Sequence, residues 1–183
     1  MNKKLFMISF IMLFTVSSFA QKLAVNTNLL GWAAYGTINV GLEPALSPKW
    51  TLALDGYYNP YKYESGSQTE AWGVQPEVRF WLKSKFAGGY FGLHGMYSDY
   101  DCGMKMYRYN GTTTGAGLSY GNAIVLAKRL RLNLNLGLGW LRNDYEKTGL
   151  PQWEDRDIIY YGHTLENRFG ITKASVAITF IIR

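Results

Sequence analysis

The sequence predicts an all-β fold, a closed antiparallel transmembrane β-barrel of about eight strands. Three observations indicate it. Residues 171–183 alternate between a largely apolar face and a mainly polar face, as a half-exposed strand does. Similar alternation recurs along most of the chain, behind an amino-terminal export signal. Short and long connections follow one another along the chain, which is typical of outer-membrane barrels.

A secretory signal peptide is predicted at the amino terminus. Lys3 and Lys4 form a basic head, residues 5–16 are almost unbrokenly apolar, and Ser18-Phe19-Ala20 is a small-x-small cleavage site. The apolar run of about 12 residues is shorter than the ~20 that a spanning helix needs. The predicted organisation is therefore a signal peptide over residues 1–20 and an outer-membrane barrel over residues 21–183, in a Gram-negative envelope.

The composition agrees with this class and excludes others. Aromatic residues make up 16% of the chain and charged residues 17%, against about 25% charged residues in an ordinary globular protein. The net charge of +6 is small and scattered, so nucleic acid is not an expected partner. Cys102 is the one cysteine, which excludes an internal disulfide and a cysteine-based metal site. No cofactor or metal is expected.

The first four strands follow from alternation in chain order. Strand one covers about residues 22–30, and strand two lies around residues 38–43. Strand three, residues 50–59, follows a turn in which proline presets the backbone. Strand four, residues 72–83, is the cleanest, although Pro76 removes a ladder donor and predicts a bulge. The predicted apolar faces of these strands carry Leu23, Val25, Thr27, Leu29, Ile38, Val40, Leu42, Trp50, Leu52, Leu54, Tyr58, Trp72, Val74, Val78, Phe80 and Leu82.

The last four strands are predicted over about residues 91–98, 113–127, 130–140 and 171–183. No segment with helical periodicity competes with them. The apolar face of the final strand is predicted to carry Thr172, Ala174, Val176, Ile178, Phe180 and Ile182, with Lys173, Ser175 and Thr179 on the opposite face.

The connections alternate in length. Short turns are predicted at residues 47–49, 84–88 and 128–129, and longer polar loops at residues 61–71, 101–112 and 143–167, with residues 31–36 as a short exception. Both chain termini then fall on the short-turn side. This is the arrangement of outer-membrane barrels.

Alternation alone does not decide which face points outward, because a soluble lipocalin-like barrel has its apolar face inside. Here the polar faces are rich in Gly, Ser, Thr and Asn, which suit a cramped interior. The apolar faces often end in aromatic residues, as expected at the level of lipid headgroups. These residues are Trp50, Trp72, Phe80, Phe91, Tyr97, Trp140 and Phe180. They favour a membrane barrel over a soluble periplasmic ligand-binding barrel or an open sandwich.

Several motifs resemble one known family. Thr27-Asn28-Leu29-Leu30, Asn39-Val40-Gly41-Leu42-Glu43 and the fairly specific run Gln75-Pro76-Glu77-Val78-Arg79-Phe80-Trp81 resemble domain-of-unknown-function family 3575, a family of Gram-negative outer-membrane proteins. The resemblance implies a small outer-membrane barrel. It also implies a link to surface fibres, since members can be encoded near surface-fibre components. It implies no catalytic residues.

The predicted interior carries charges that must pair. Inward candidates are Glu43, Asp55, Glu77, Arg79, Lys83, His94 and Arg131. Enclosed charges pair or carry a large desolvation cost. The predicted lumen charge network therefore consists of Glu43, Asp55, Glu77, Arg79, Lys83 and Arg131. A gate or ion path is one interpretation of this network. About eight strands leave an interior that side chains fill, so we expect a static network and no open pore.

An outer-membrane lipid-modifying enzyme is the alternative function. Its available parts are His94, Ser98, Asp101, Asp157 and His163. His94 and Ser98 lie about 13 Å apart along one strand at ~3.3 Å per residue, so they cannot touch. Neither a Gly-x-Ser-x-Gly elbow nor a His-Glu-x-x-His helix is present. We therefore expect no enzymatic activity.

The long loops mix aromatic and charged residues, as in residues 61–64, 104–109 and 153–157. Such a mixture suits contact with protein or glycan, and it also suits loops that rest on one another or on lipid headgroups. The expected role is structural or in surface interaction, including an accessory role in surface-fibre assembly. The expected partners are outer-membrane lipid, the barrel-assembly machinery, and surface-fibre components or other envelope proteins that contact the loops.

Overall fold

A computed structural model describes residues 22–33, 36–62, 68–104, 107–149 and 159–182. These residues form eight antiparallel strands and one short helix. The elements are β1 Leu23–Asn28, α1 Leu29–Ala33, β2 Ile38–Pro44, β3 Trp50–Lys62, β4 Gln68–Trp81, β5 Gly88–Met104, β6 Tyr107–Val125, β7 Leu130–Gly149 and β8 Ile159–Ile182. The predicted signal peptide over residues 1–20 lies outside the described residues. In the described segments there is no helix with the length and apolarity that crossing a bilayer requires.

The sheet closes on itself through its first strand. Leu23 of β1 pairs with Pro44 of β2 on one side and with Ile182 of β8 on the other. Every remaining strand pairs with its neighbours in chain order, so the ring runs from β1 to β8 without a crossover. The predicted set of eight antiparallel strands is confirmed, and the open sandwich is excluded because β1 pairs with β8 and closes the sheet.

The apolar faces of the strands point outward and the polar faces point inward. On β4, Glu77 and Arg79 are 1% and 3% exposed, whereas Val78 between them is 37% exposed. On β7, Asn133 is buried and its neighbour Leu134 is 40% exposed. This distribution is the reverse of that in a soluble lipocalin-like barrel, whose interior is apolar.

The strands on the long-loop side extend further than predicted. Asp101 pairs with Asn110 inside the predicted loop 101–112, and Asn143 pairs with Glu166 inside the predicted loop 143–167. Both were predicted as loops because polar residues occupy both faces there and the alternation disappears. Backbone pairing does not need that alternation, so the hairpins continue beyond the apolar band.

The end of β1 also differs from the prediction. The strand stops at Asn28, whose Oδ1 accepts a hydrogen bond of 3.1 Å from the backbone N–H of Leu30. This side-chain turn redirects the chain into α1. Leu29, predicted as the last outward residue of strand one, therefore lies in the helix and is 43% exposed.

Pro76 does not create the predicted bulge. Val74 pairs with Tyr97 and Glu77 pairs with His94, so the register with β5 is the same on both sides of the proline. Pro76 itself still pairs with Leu54 of β3. The missing N–H interrupts the ladder with β5 without inserting a residue.

Candidate functional site

A network of buried charges crosses the barrel interior. Arg79 of β4 places Nη1 2.5 Å from Glu43 Oε2 of β2, and its Nε donates a hydrogen bond of 2.7 Å to Glu77 Oε2. Glu43 is fully buried and Glu77 is 1% exposed. Because β3 separates β2 from β4 in the wall, the guanidinium joins strands that do not pair with each other.

Lys173 of β8 is the second cation of the network. Its Nζ donates hydrogen bonds of 2.9 Å to Asp55 Oδ2 of β3 and of 2.9 Å to Glu77 Oε2. The alternation predicts Lys173 on the polar face of the last strand, but the predicted charge network does not include it. Its place on that face was the available signal; the 96 positions that separate it from Glu77 gave no indication of contact.

The prediction was wrong for two other members of the network. Lys83 lies beyond the end of β4, in the exposed turn before β5. Arg131 donates to backbone carbonyls, with Nε 2.9 Å from the oxygen of Phe86 and Nη1 2.6 Å from that of Ala127. Alternation predicts on which face of a strand a residue lies, but it does not predict the level of that residue along the barrel axis. At the turn end, water and free carbonyl groups compete with the interior carboxylates for these cations.

Neutral donors satisfy the remaining carboxylate oxygens. Thr51 donates a hydrogen bond of 2.6 Å to Glu43 Oε1 and accepts one of 2.9 Å from Trp81 Nε1. Glu77 Oε1 accepts hydrogen bonds from Ser119 Oγ and from Asn135 Nδ2. A buried ion pair is tolerated when such bonds satisfy its free lone pairs, so this arrangement suits a fixed structure.

An aromatic cluster fills the barrel at the short-turn end. The ring centroids of Trp81 and Tyr90 are 4.6 Å apart, and Phe86 of the β4–β5 turn packs against Trp81 at 6.0 Å. The Arg79 guanidinium carbon lies 4.9 Å from the Tyr90 ring, and Tyr90 donates a hydrogen bond of 2.9 Å to Asn133 Oδ1. The cluster therefore packs directly against the charge network.

A bulge in β8 positions Lys173. Gly137 pairs with Lys173 and Leu138 pairs with Ile171, so Thr172 is an additional residue. A bulge turns two consecutive side chains toward one face, and Thr172 and Lys173 are 7% and 6% exposed. Thr172 was predicted on the outward face, which is wrong for this reason.

The candidate catalytic residues do not share one site. His94 Nε2 lies 2.7 Å from Thr172 Oγ1, while Ser98 donates to the backbone carbonyl of Trp72. Asp101 forms an ion pair with Arg108 on the β5–β6 hairpin. His163 Nε2 lies 2.5 Å from Asp144 Oδ1 on the β7–β8 hairpin. Asp157 falls outside the described residues. Among the residues that the structure describes, no group of His, Cys, Asp and Glu could hold a metal ion.

A cavity of about 260 Å³ lies beside the charge network. It extends from Gly31 and Thr37 at the β1–β2 connection past Asp55 and Lys173 to Arg79 and Asn133, which contact Tyr90 of the aromatic cluster. Its other polar lining residues include Asn26, Asn28, Asn39, Tyr57, Gln75 and Ser175. We call this cavity the vestibule.

The closed ring, the apolar outer face and the ion-paired interior together define a small antiparallel β-barrel. The chain belongs to the family described as Protein of unknown function (DUF3575), whose model matches residues 5–182. The family resemblance predicted from the motifs is thereby confirmed. Neither a curated protein nor a solved structure matches the chain.

Proposed function

We propose that the protein is a non-enzymatic outer-membrane barrel with a closed lumen and a structural or surface-interaction role. The observation that carries the proposal is the apolar outer band with aromatic side chains at both ends. On β3, Trp50 and Tyr58 are outward residues that lie about 26 Å apart at ~3.3 Å per residue. A strand tilt of ~40° reduces their separation along the barrel axis to about 20 Å, close to the ~25 Å apolar band of such barrels.

Aromatic side chains pair across strands near each end of this band. At the short-turn end, Trp50 contacts Phe80 with centroids 5.0 Å apart, and Phe91 contacts Tyr120 at 5.3 Å. At the other end, the centroids of Trp72 and Tyr97 are 5.5 Å apart. Amphipathic rings favour the interface between lipid and water, so two such levels support insertion across a bilayer.

The filled interior supports a closed lumen. The ion pairs of Arg79 and Lys173 span the barrel, and the cluster of Trp81 and Tyr90 fills the interior beside them. Removing either cation would leave a carboxylate in a low-dielectric interior without its counter-charge, which is strongly destabilising. The network therefore acts as a fixed plug, and the protein conducts few ions.

The long hairpins support a role in surface interaction. β8 pairs with β1 only from Ile182 to Ala177, so within the described residues the rest of this long strand has no strand partner on that side. Phe169 and Ile171 beside this edge are 70% and 62% exposed. An exposed strand edge can bind an extended segment of another protein. The narrower proposal, an accessory role in surface-fibre assembly, rests on the family resemblance alone.

Fractionation and refolding of the full chain test the proposal. It should be found in the outer membrane with Gln21 as its first residue. In detergent it should migrate as a compact, heat-modifiable band, and in planar bilayers it should show no porin-like conductance. A monomer that refolds in water without detergent would overturn membrane insertion, and stable large channels would overturn the closed lumen. A lipid species lost on deletion of the gene and restored by wild type, but not by His94→Ala or His163→Ala, would identify an enzyme instead.

A further inference from the structure

We propose that the vestibule binds the uncharged, hydroxyl-bearing headgroup of a single-chain amphiphile such as a monoacylglycerol, while the acyl chain lies in an apolar groove on the outer face of the barrel. The site goes beyond the proposed function. It rests on the proposed membrane insertion, because insertion brings the groove into contact with lipid. Such a molecule would connect the barrel interior with the bilayer.

The barrel wall is incomplete on the long-loop side of the β1–β2 hairpin. β8 pairs with β1 only from Ile182 to Ala177, and β3 pairs with β2 only as far as Tyr58. Both strands continue beyond these points, β8 back to Ile159 and β3 on to Lys62. Within the described residues, no strand fills the interval between them. The wall therefore has a lateral notch, and α1, which connects β1 to β2, lies at its foot.

An apolar groove of about 360 Å³ lies on the outer face beside α1. Leu30 of α1 forms one wall, and side chains of β6, β7 and β8 form the other, namely Tyr120, Leu134, Leu136 and Val176. All of them except the half-buried Val176 are exposed. Because these strand residues belong to the outer apolar band, the groove faces acyl chains in a bilayer.

The groove and the vestibule meet at β8 and α1. Ala174 and Ser175 of β8 line both cavities. In α1, Leu30 lines the groove and the next residue, Gly31, lines the vestibule. A backbone hydrogen bond of 2.9 Å from the N–H of Thr37 to the carbonyl of Gly31 holds this connection. One elongated molecule therefore fits both cavities, with its apolar end outside and its polar end inside.

The charges beside the vestibule already have partners. Lys173 forms ion pairs with Asp55 and Glu77, and Arg79 forms ion pairs with Glu43 and Glu77. An anionic or cationic headgroup would have to break one of these pairs, which is costly in a poorly solvated interior. An uncharged headgroup leaves every pair intact, so the lining selects against charged lipids.

Neutral polar groups remain for such a headgroup. Gln75 donates a hydrogen bond of 3.0 Å from Nε2 to the backbone carbonyl of Thr172, which leaves its Oε1 as an acceptor. Ser175 lines the vestibule, and its hydroxyl has no hydrogen-bond partner among the described residues. A hydroxyl group both donates and accepts, so a diol headgroup matches these two side chains. The vestibule volume of about 260 Å³ is below the usual ~300–1,000 Å³ of ligand pockets, which restricts the headgroup to a small one.

Photolabelling of the refolded full chain in phospholipid vesicles tests this site. Heat modifiability of the inserted protein is checked first, so that failed membrane insertion is distinguished from failed binding. A monoacylglycerol with a diazirine in its acyl chain should then label α1 and residues 174–176, and the labelling should saturate at one molecule per chain. Unlabelled 1-lauroylglycerol should compete about 10-fold better than methyl laurate, which has the same chain without hydroxyls, because it adds two hydrogen bonds.

Substitutions separate the headgroup from the chain. Ser175→Ala should weaken competition by 1-lauroylglycerol several-fold and leave that by methyl laurate unchanged. Leu30→Ala removes part of the groove and should weaken competition by both. The matched control Leu118→Ala, on the outer face of β6 and outside the groove, should change neither. Labelling spread evenly over the apolar band, equal competition by the two compounds, no effect of Ser175→Ala, or equal effects of Leu30→Ala and Leu118→Ala in an inserted barrel would each overturn the proposal.

Discussion

Lys173 Nζ lies 2.9 Å from Glu77 Oε2, and this contact ties β8 to β4 across the interior of the barrel. It exists because the additional residue Thr172 turns the lysine inward at this level. The same ammonium holds Asp55. One side chain of the last strand therefore forms ion pairs with two carboxylates from the first half of the chain.

Replacing Lys173 with methionine should destabilise the barrel by ~3–5 kcal/mol, because it removes one of the two cations that pair with buried Glu77 and the cation that pairs with Asp55. Urea titration of the refolded protein in lipid or detergent measures the effect. Lys128→Met, in the exposed β6–β7 turn, is the matched control and should change stability by less than ~0.5 kcal/mol. Equal stability of the two variants would show that the cross-barrel contact does not contribute.

Arginine in place of Leu134 tests the lipid-facing assignment. Leu134 lies near the middle of the apolar part of β7 and is 40% exposed. In a bilayer, Leu134→Arg should cost ~2–4 kcal/mol, whereas Leu126→Arg, beside the β6–β7 turn, should cost about 0–1 kcal/mol. Refolding equilibria in phospholipid vesicles compare them. If Leu134→Arg carries no larger penalty than Leu126→Arg, the outer face of β7 does not contact lipid.

Two directly paired glycines should respond differently to alanine. Gly139 pairs with Gly170, but a Cβ on Gly139 would lie within 2.5 Å of the backbone of β6 at Gly117. A Cβ on Gly170 would have no atom within 4 Å. Gly139→Ala should therefore destabilise the barrel by ~1–3 kcal/mol through overpacking.

Gly170→Ala is the control and should be neutral or stabilising by up to ~1 kcal/mol, because it restricts the unfolded chain without a clash. Thermal unfolding monitored by circular dichroism ranks the two variants. Similar midpoints would contradict the close approach of β6 and β7 at Gly139.

Cys102 should react slowly with maleimide at neutral pH. Burial raises the pKa of the Cys102 thiol, and Asp101 beside it raises the pKa further, so less of the reactive thiolate is present. Cys102 lies beyond Tyr97, on the outer part of β5. The control is Asp99→Cys in a Cys102→Ser background, since Asp99 is exposed on the same strand. Labelling rates over a pH series should be lower for Cys102, and the reverse order would contradict its burial.

The positions of Glu77, Val78 and Arg79 illustrate what the sequence by itself determined. A strand has a period of two residues, so the local pattern assigns side chains to two opposite faces without knowledge of the partner strand. The number of strands and their antiparallel order follow from this local signal together with the spacing of the turns. The polar interior follows from the small residues on the polar faces and the aromatic residues at the ends of the apolar faces.

The tertiary structure alone decided where the inward residues lie along the barrel and which of them meet. Lys83 and Arg131 fit the inward pattern but lie at the turn end, while Lys173 reaches Glu77 only through the bulge at Thr172. The stagger between strands and the position of a bulge depend on pairing between distant segments. The sequence also did not predict that the strands continue into the hairpins beyond the apolar band. These parts of the strands are held by backbone hydrogen bonds, which any pair of non-proline residues can form.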